Sequence, residues 1–488
     1  MLPDHATCYK AILARDSRFD GRLFVGVLTT GIYCRPICPA RPPKSGNIIF
    51  YPSAAAAQAS GLRPCLRCRP ETAPSTPAWR GTAAVIGRAL RLIDEGALDG
   101  QSVEALANRL GLGERQLRRL FRQHVGASPQ DVAQTRRTGF AKQLLHETRL
   151  PMAQVALASG FGSIRRFNEV FQAVFQRPPL SIRRGLDPEG QYEAGADIVL
   201  RAPYRPPLDW AGCLAFLAMR QIKGLEDIQG DTYQRSFCFD GHSGTFKVRP
   251  CSRKPDCLTI AIGCETLASL PKVMAGVRNA FDLGSDTTAI GADLSADCLL
   301  APLVAARPGL RVLQSWARFE GVVRAIIGQQ ISVLAARRLL GLLVNELGAP
   351  LPKGLCAGGA MTRLFPTPER VALADLSFLP MPQARRATLA AVAAAFVAHG
   401  PDWLEGKPDE VRARLAAIAG IGPWTVEYVA LRVLGDPDAC PVGDAALLRS
   451  LSRLLGRRMG QTDFHALSQA WSPWRAYGAQ HVWAALGD

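Results

Sequence analysis

A chain of 488 residues has room for three or four separately cored domains, and its formal charge of +17 makes a polyanion the natural partner. No apolar run approaches the ~18 residues needed to span a bilayer, and the opening MLPDHATCYK lacks the basic-then-apolar layout of an export signal; no membrane is expected as partner, and the cytoplasm, at the nucleoid, is the expected location. In a reducing compartment the 13 cysteines are expected as thiols or metal ligands rather than disulfides. The charge is uneven: residues 1–185 hold 27 Lys+Arg against 12 Asp+Glu, whereas the remaining 31 and 29 nearly cancel over 186–488. Polyanion binding is therefore expected first of the N-terminal third.

That third carries Cys34-Arg-Pro-Ile-Cys38 and, after 26 intervening residues, Cys65-Leu-Arg-Cys68. Two close pairs on separate turns let four thiolates converge tetrahedrally on one Zn²⁺. Arg35, Arg41, Lys44, Arg63, Arg67 and Arg69 flank them and are expected to draw in a phosphate backbone. ARDSRFDGRLFVGVLTTGIYCRPICPAR and GLRPCLRCRP resemble the N-terminal domain of the Ada-type adaptive-response regulators, assigned here to residues 1–76. The resemblance implies one Zn²⁺ on Cys34, Cys38, Cys65 and Cys68, with Cys34 taking a methyl group from a DNA methylphosphotriester. Four thiolates on Zn²⁺ stay deprotonated and nucleophilic, and the thioether formed has no evident route back, so each molecule would react once.

After a Pro/Ser/Thr linker at 72–77, residues 81–185 read as two helix-turn-helix pairs. Ser102 is the expected N-cap of VEALANRL and Gly111 the turn. In the following helix Leu117, Leu120, Phe121 and Val125 form the buried stripe, leaving Arg115, Arg118, Arg119 and Arg122 to face a DNA groove. In AQVALASGFGSIRRFNEVFQAVFQRPP, Gly160 or Gly162 makes the turn, Phe167, Val170 and Phe171 the core, and Arg165, Arg166 and Asn168 the exposed face. The pair, ending in FNEVFQAVFQRPPLSIRR, resembles the AraC-type transcription regulators; this implies promoter DNA, and RNA polymerase beside it, as partners.

Over 191–305 the chain reads as an α+β sheet domain: strands in DIVLRA, TYQRSFCF, GTFKVRP and CLTIAIG, a DGHSG turn, and helices in DWAGCLAFLAMRQI and LASLPKVMAGVRNAFDL. Of its six cysteines only Cys251 and Cys257 approach a paired metal spacing, and all six are expected as core or surface thiols. Residues 306–488 read as an all-helical bundle. Within it Gly420-Ile421-Gly422 turns between two short helices, leaving bare N–H groups at the second helix start that suit a DNA phosphate. Twenty residues after Trp424, Asp444 stands before the helical run AALLRSLSRLL, where it is equally suited to cap that helix.

YRPPLDW (204–210), ARPGLR (306–311), RAIIGQQIS (324–332), GIGPWT (420–425), Asp444 and PWRAYGAQHVW (473–483) together resemble the AlkA-type helix-hairpin-helix DNA glycosylases, the 3-methyladenine DNA glycosylase II class. The resemblance implies excision of alkylated bases from double-stranded DNA. Asp444 would be the catalytic carboxylate, Trp424, Tyr428 and Trp483 the pocket, Gly420 and Gly422 the phosphate clamp, and Gln330 the wedge filling the gap left by the extruded base. Gln330 replaces the apolar wedge of the best-known pattern, and Ala445 replaces an aromatic after the Asp. Bifunctional relatives carry a lysine where this chain has Trp424, so strand cleavage is not expected. No cysteine follows Cys440, so no iron–sulfur cluster is expected, and without a Pro-Cys-His-Arg motif no O6-methylguanine methyltransferase activity is assigned. The expected whole is multidomain: a small zinc α+β domain, an all-α tandem helix-turn-helix, an α+β sheet domain and an all-α glycosylase bundle. A regulator whose glycosylase half only docks on DNA is the alternative, opposed by the intact Asp444 and hairpin.

Overall fold

The computed structural model describes every residue except 1, 17–18, 69, 71–72, 74–81, 185–196, 356–359, 407 and 487–488. Arg69, nearly all of the expected 72–77 linker and the first residues of the expected third domain lie outside the described residues. The chain forms two compact units: Met1–Arg205 with Cys251–Gly276 and Leu283–Ser285, and Pro206–Pro250 with Val277–Asp282 and Asp286–Asp488. Among the described residues no helix is long and apolar enough to cross a membrane.

The first unit opens with a four-stranded sheet in the order β3-β1-β2-β4, with β1 at Phe24–Val27, β2 at Ile32–Cys34, β3 at Ile48–Tyr51 and β4 at Arg63–Pro64. β1 pairs antiparallel with β2 and β3, while β2 and β4 run parallel, Ile32 opposite Arg63 and Tyr33 opposite Pro64. Helices follow. Ser102 caps Val103–Arg109 by accepting from the Ala105 N–H at 3.1 Å, Gly111 turns the chain at φ +67°, and Glu114–His124 buries Leu117, Leu120 and Phe121. Pro129–Glu147 starts with a Ser128/Asp131 capping box, which satisfies orphan N–H groups from both ends. In the second pair, Met152–Ala158 and Ile164–Phe175, it is Gly160 (φ +83°) that makes the turn, and Phe161, Phe167, Phe171 and Phe175 form a run of ring contacts 4.4–5.3 Å apart. β5 (Ile198–Pro203) pairs antiparallel with β9 (Cys257–Cys264), from Ile198 opposite Ile262 to Pro203 opposite Cys257.

In the second unit β6 (Glu226–Gln229), β7 (Thr232–Phe239) and β8 (His242–Pro250) form an antiparallel meander. The β7–β8 turn is tighter than the expected DGHSG loop: Asp240 and Gly241 both take positive φ, and pairing resumes at His242. β6 has no counterpart in the sequence reading. Its EDIQ is too short and polar for a strand pattern, and buried ion pairs hold it, Glu226 bridging Arg235 at 3.2 Å and Arg324 at 2.9 Å. The remainder is helical and packs around Val322, Val323, Ile326, Leu343, Val392 and Val429, with a further cluster around Leu447, Phe464 and Trp471.

Candidate functional sites

The parallel β2–β4 pair explains how two distant cysteine pairs meet. Cys34 ends β2 and Cys65 follows β4 at the same end, the Cys65 N–H donating to Tyr33 O at 3.0 Å. One turn further on each branch come Cys38 and Cys68, and the four sulfurs all lie within 4.8 Å of one another. A tetrahedral Zn²⁺ with Zn–S near 2.3 Å needs sulfurs about 3.8 Å apart, so the donor set fits that ion. Cys65 and Cys68 are buried, whereas Cys34 and Cys38 are partly open to solvent.

Arg35 departs from the expected phosphate-binding set. Its backbone N–H donates to Cys68 Sγ at 3.3 Å, and its guanidinium is paired with the buried Asp20 carboxylate, Nε to Oδ1 at 2.8 Å. Asp20 is held in turn by Arg205, whose Nε and Nη2 donate to its carbonyl at 3.2 and 2.7 Å. Arg41, Lys44 and Arg67 are exposed and Arg63 is half-buried.

On the helix-turn-helix helices Arg115, Arg119 and Arg122 are exposed, while Arg118 is half-covered and its Nε donates to Glu114 at 2.7 Å. Arg165, Arg166 and Asn168 are exposed, Arg165 bonding Glu169 at 2.9 Å.

In the second unit the helix Pro408–Ala416 turns through Gly420 into Pro423–Arg432. Gly420 stands at φ +88°, and a Cβ there would collide with Thr388 Oγ1. Gly422 is the N-cap, Pro423 follows, and no side chain caps this helix, so its first N–H groups remain available to an anion. Gln329 Nε2 donates to Gly420 O at 3.0 Å and Thr425 Oγ1 at 2.9 Å. That pins to the hairpin the turn on which Gln330 stands exposed, at φ +56°.

A cavity of ≈ 1430 Å³ runs along this face and is bordered by Gln330, Gly420, Gly422, Trp424, Tyr428, Asp444 and Trp483, so the glycosylase residues named from sequence do come together. Asp444 is the N-cap of Ala445–Leu455. Its Oδ1 accepts from the N–H groups of Ala446 (3.0 Å) and Leu447 (2.9 Å) and from Trp483 Nε1 (3.0 Å), and its Oδ2 from Trp424 Nε1 (2.9 Å). Trp424 stacks on Tyr428 with centroids 5.1 Å apart and planes at 23°.

Two lining residues escaped the sequence reading. Phe216 comes from the helix Trp210–Arg220, which no local pattern ties to the site. Arg432 lies four residues after Tyr428, a spacing that marks a shared helix face. It is buried, donates to Leu313 O at 2.9 Å and Gln480 Oε1 at 2.7 Å, and has its guanidinium carbon 4.6 Å from the Phe216 ring centre and 5.3 Å from that of Trp483. Desolvation pulls its pKa down to about 10.

A four-cysteine metal site, two helix-turn-helix pairs and a hairpin with an aspartate define a regulator fused to a glycosylase fold. Family models agree segment by segment: the metal binding domain of Ada over residues 7–71, a helix-turn-helix domain over 106–185 and the AlkA N-terminal domain over 199–317. The chain belongs to the bifunctional transcriptional activator/DNA repair enzyme AlkA family. It is 37% identical over 494 residues to the probable member from Mycobacterium tuberculosis, covering 100% of this chain and 97% of that one. Its C-terminal part is 32% identical over 292 residues to DNA-3-methyladenine glycosylase 2 of Escherichia coli, 58% of this chain and 96% of the relative. The solved 3-methyladenine DNA-glycosylase of Archaeoglobus fulgidus superposes with a TM-score of 0.51 at 20% identity, over 58% of this chain and 97% of its own, a likeness of fold.

Proposed function

We propose that this chain both excises alkylated bases such as 3-methyladenine from DNA and, through its N-terminal half, senses alkylation and activates transcription. The observation that carries the glycosylase reading is the convergence of two indole N–H groups and two backbone N–H groups on Asp444 at the edge of the cavity. A stacked base cannot be reached, so the nucleotide is extruded and Gln330 stands in the gap. Electron-poor alkylated rings suit the aromatic faces of Trp424, Tyr428 and Trp483. With three donors on Oδ1 and one on Oδ2, Oδ2 is the atom left with a lone pair to offer. It stabilises the oxocarbenium-like sugar as the C–N bond breaks and orients the incoming water. The products are free base and an abasic site.

At the other site, Zn²⁺ when bound keeps the four sulfurs as thiolates at neutral pH. The Cys34 sulfur attacks the methyl carbon of a methylphosphotriester; the S–C bond forms, the C–O bond breaks and the phosphodiester leaves as an anion. The partly open position of Cys34 supports that role over the buried Cys65 and Cys68. The helix-turn-helix arginines then hold promoter DNA, where RNA polymerase is the partner. One preparation of the full chain tests both halves: about one zinc per chain and release of 3-methyladenine from alkylated duplex are expected. Absence of zinc would sink the sensor reading, and absence of base release the glycosylase reading.

A further inference from the structure

Arg432 borders the base cavity, yet the reaction proposed above gives it no task. Trp424, Tyr428 and Arg432 recur every four residues along the helix Pro423–Arg432, a spacing that puts them on one face. Eight residues of helix rise about 12 Å, so Arg432 stands at the far end of that face from the hairpin and from the Trp424 indole that bonds Asp444. Trp483 lies between the two charges: its N–H donates to Asp444, while the Arg432 guanidinium lies over its ring and over that of Phe216. That guanidinium is buried and donates to the Leu313 carbonyl and to the side-chain amide oxygen of Gln480. Both acceptors are uncharged. Arg235 and Arg324 border the same cavity but are each bridged to Glu226 and Glu320, whereas Arg432 has no such ion pair among the described residues. Arg220 adds a second guanidinium over the Phe216 ring, at 3.8 Å. Burial lowers the Arg432 pKa no further than about 10, so the group is cationic at neutral pH.

We infer that Arg432 is a specificity-determining cation at the deep end of the base pocket, one that favours lesions whose base leaves as an anion over lesions whose base is already cationic. The inference rests on the reading that this cavity takes an alkylated nucleotide with its sugar beside Asp444. When the C1′–N bond breaks, its electron pair stays on the base, and water adds its oxygen to the cationic sugar and releases a proton. An uncharged alkylated base therefore departs as an anion, which takes up a proton from solvent. Negative charge grows on that ring only as the bond breaks, so a cation near it stabilises the transition state more than the bound substrate. A base carrying a fixed positive charge departs neutral instead. Its ring is close to uncharged in the transition state, so Arg432 has little there to stabilise. Measured from free enzyme and free DNA, removing the Arg432 charge should thus slow excision of the first class and spare the second.

The test is single-turnover excision by the full chain from duplexes holding either 1,N6-ethenoadenine, which is uncharged, or 7-methylguanine, which is cationic, read as the second-order rate constant at enzyme below saturation. In Arg432→Met the constant should fall about 10–100-fold on ethenoadenine, less than for the loss of a donor in direct contact, and stay within about threefold on 7-methylguanine. Arg432→Lys keeps the charge and should keep most of the ethenoadenine activity. Should Arg432→Met not fold, Gln480→Glu decides: it retains the acceptor for Arg432 Nη2 but sets a carboxylate against the guanidinium, and it should show the same selective loss. A packing defect would slow both substrates alike. Equal losses on the two bases therefore overturn the inference, as does an undiminished rate on ethenoadenine or a loss as deep in Arg432→Lys as in Arg432→Met. A wild type that excises 7-methylguanine alone also overturns it while the glycosylase reading stands; one that excises neither base sinks that reading and the inference with it.

Discussion

On the proposed reading, Asp444 acts through a charge that its shape alone cannot replace. In Asp444→Asn the side-chain oxygen still accepts from Ala446 and Leu447, so the helix cap survives, but the negative charge beside the developing sugar cation is gone. Base release should fall by at least about 10²–10³-fold in single-turnover assays, the scale for a lost electrostatic stabiliser, while duplex affinity stays within about twofold. A variant that excises normally would show the carboxylate to be misassigned. Trp424 leads to a second expectation. Its indole N–H is committed to Asp444 and it brings no amine to the sugar, so on the proposed reading no Schiff base is expected and the product strand should stay whole. Borohydride treatment during turnover should trap no covalent DNA adduct; a trapped adduct would overturn the monofunctional reading.

At the scale of elements, the hairpin depends on a backbone that only glycine enters readily. Gly420→Ala would place a Cβ against Thr388 Oγ1 and hold alanine at φ +88°, a strain of about 1–3 kcal/mol. The loop that carries Gln330 hangs on the Gly420 carbonyl through Gln329. The expected result is a lower melting temperature together with weaker binding to duplex, read by calorimetry and anisotropy. Full stability and affinity in Gly420→Ala would show that the turn is not under this constraint.

For the molecule as a whole, the expected consequence of sensing is a change in affinity. Four thiolates around a divalent metal carry a formal −2 close to where a phosphate must approach, and methylation of Cys34 makes that −1 while the exposed arginines are unchanged. At short range one unit charge is worth about 1–4 kcal/mol depending on local dielectric. With about 1.4 kcal/mol per tenfold, DNA affinity should rise on the order of ten- to several-hundred-fold, most at low salt. Titrations before and after exposure to methylphosphotriester DNA, with Cys34→Ser as control, test it; equal affinities would remove the switch.

Local pattern was enough for much of this protein. The cysteine pairs were legible because each pair spans a single turn, and the hairpin because glycine alone takes its bend. The caps at Ser102 and Asp444 were legible because a cap bonds N–H groups two or three residues away. Concentration of positive charge before residue 186 likewise needs no coordinates. Tertiary structure decided the rest, because those contacts join residues far apart in the chain. The two indole donors to Asp444 lie 20 and 39 positions away. Lys142 meets the Cys65 carbonyl across 77 positions, Arg432 meets Leu313 across 119, and Arg35, which reads as one more phosphate ligand, turns inward to Asp20. β6 is polar in sequence and becomes a strand only because Arg235 and Arg324 neutralise Glu226 once it is buried. A sequence shows which charges and turns a chain possesses; which charge is buried beside which partner is determined only when the packed core brings them together.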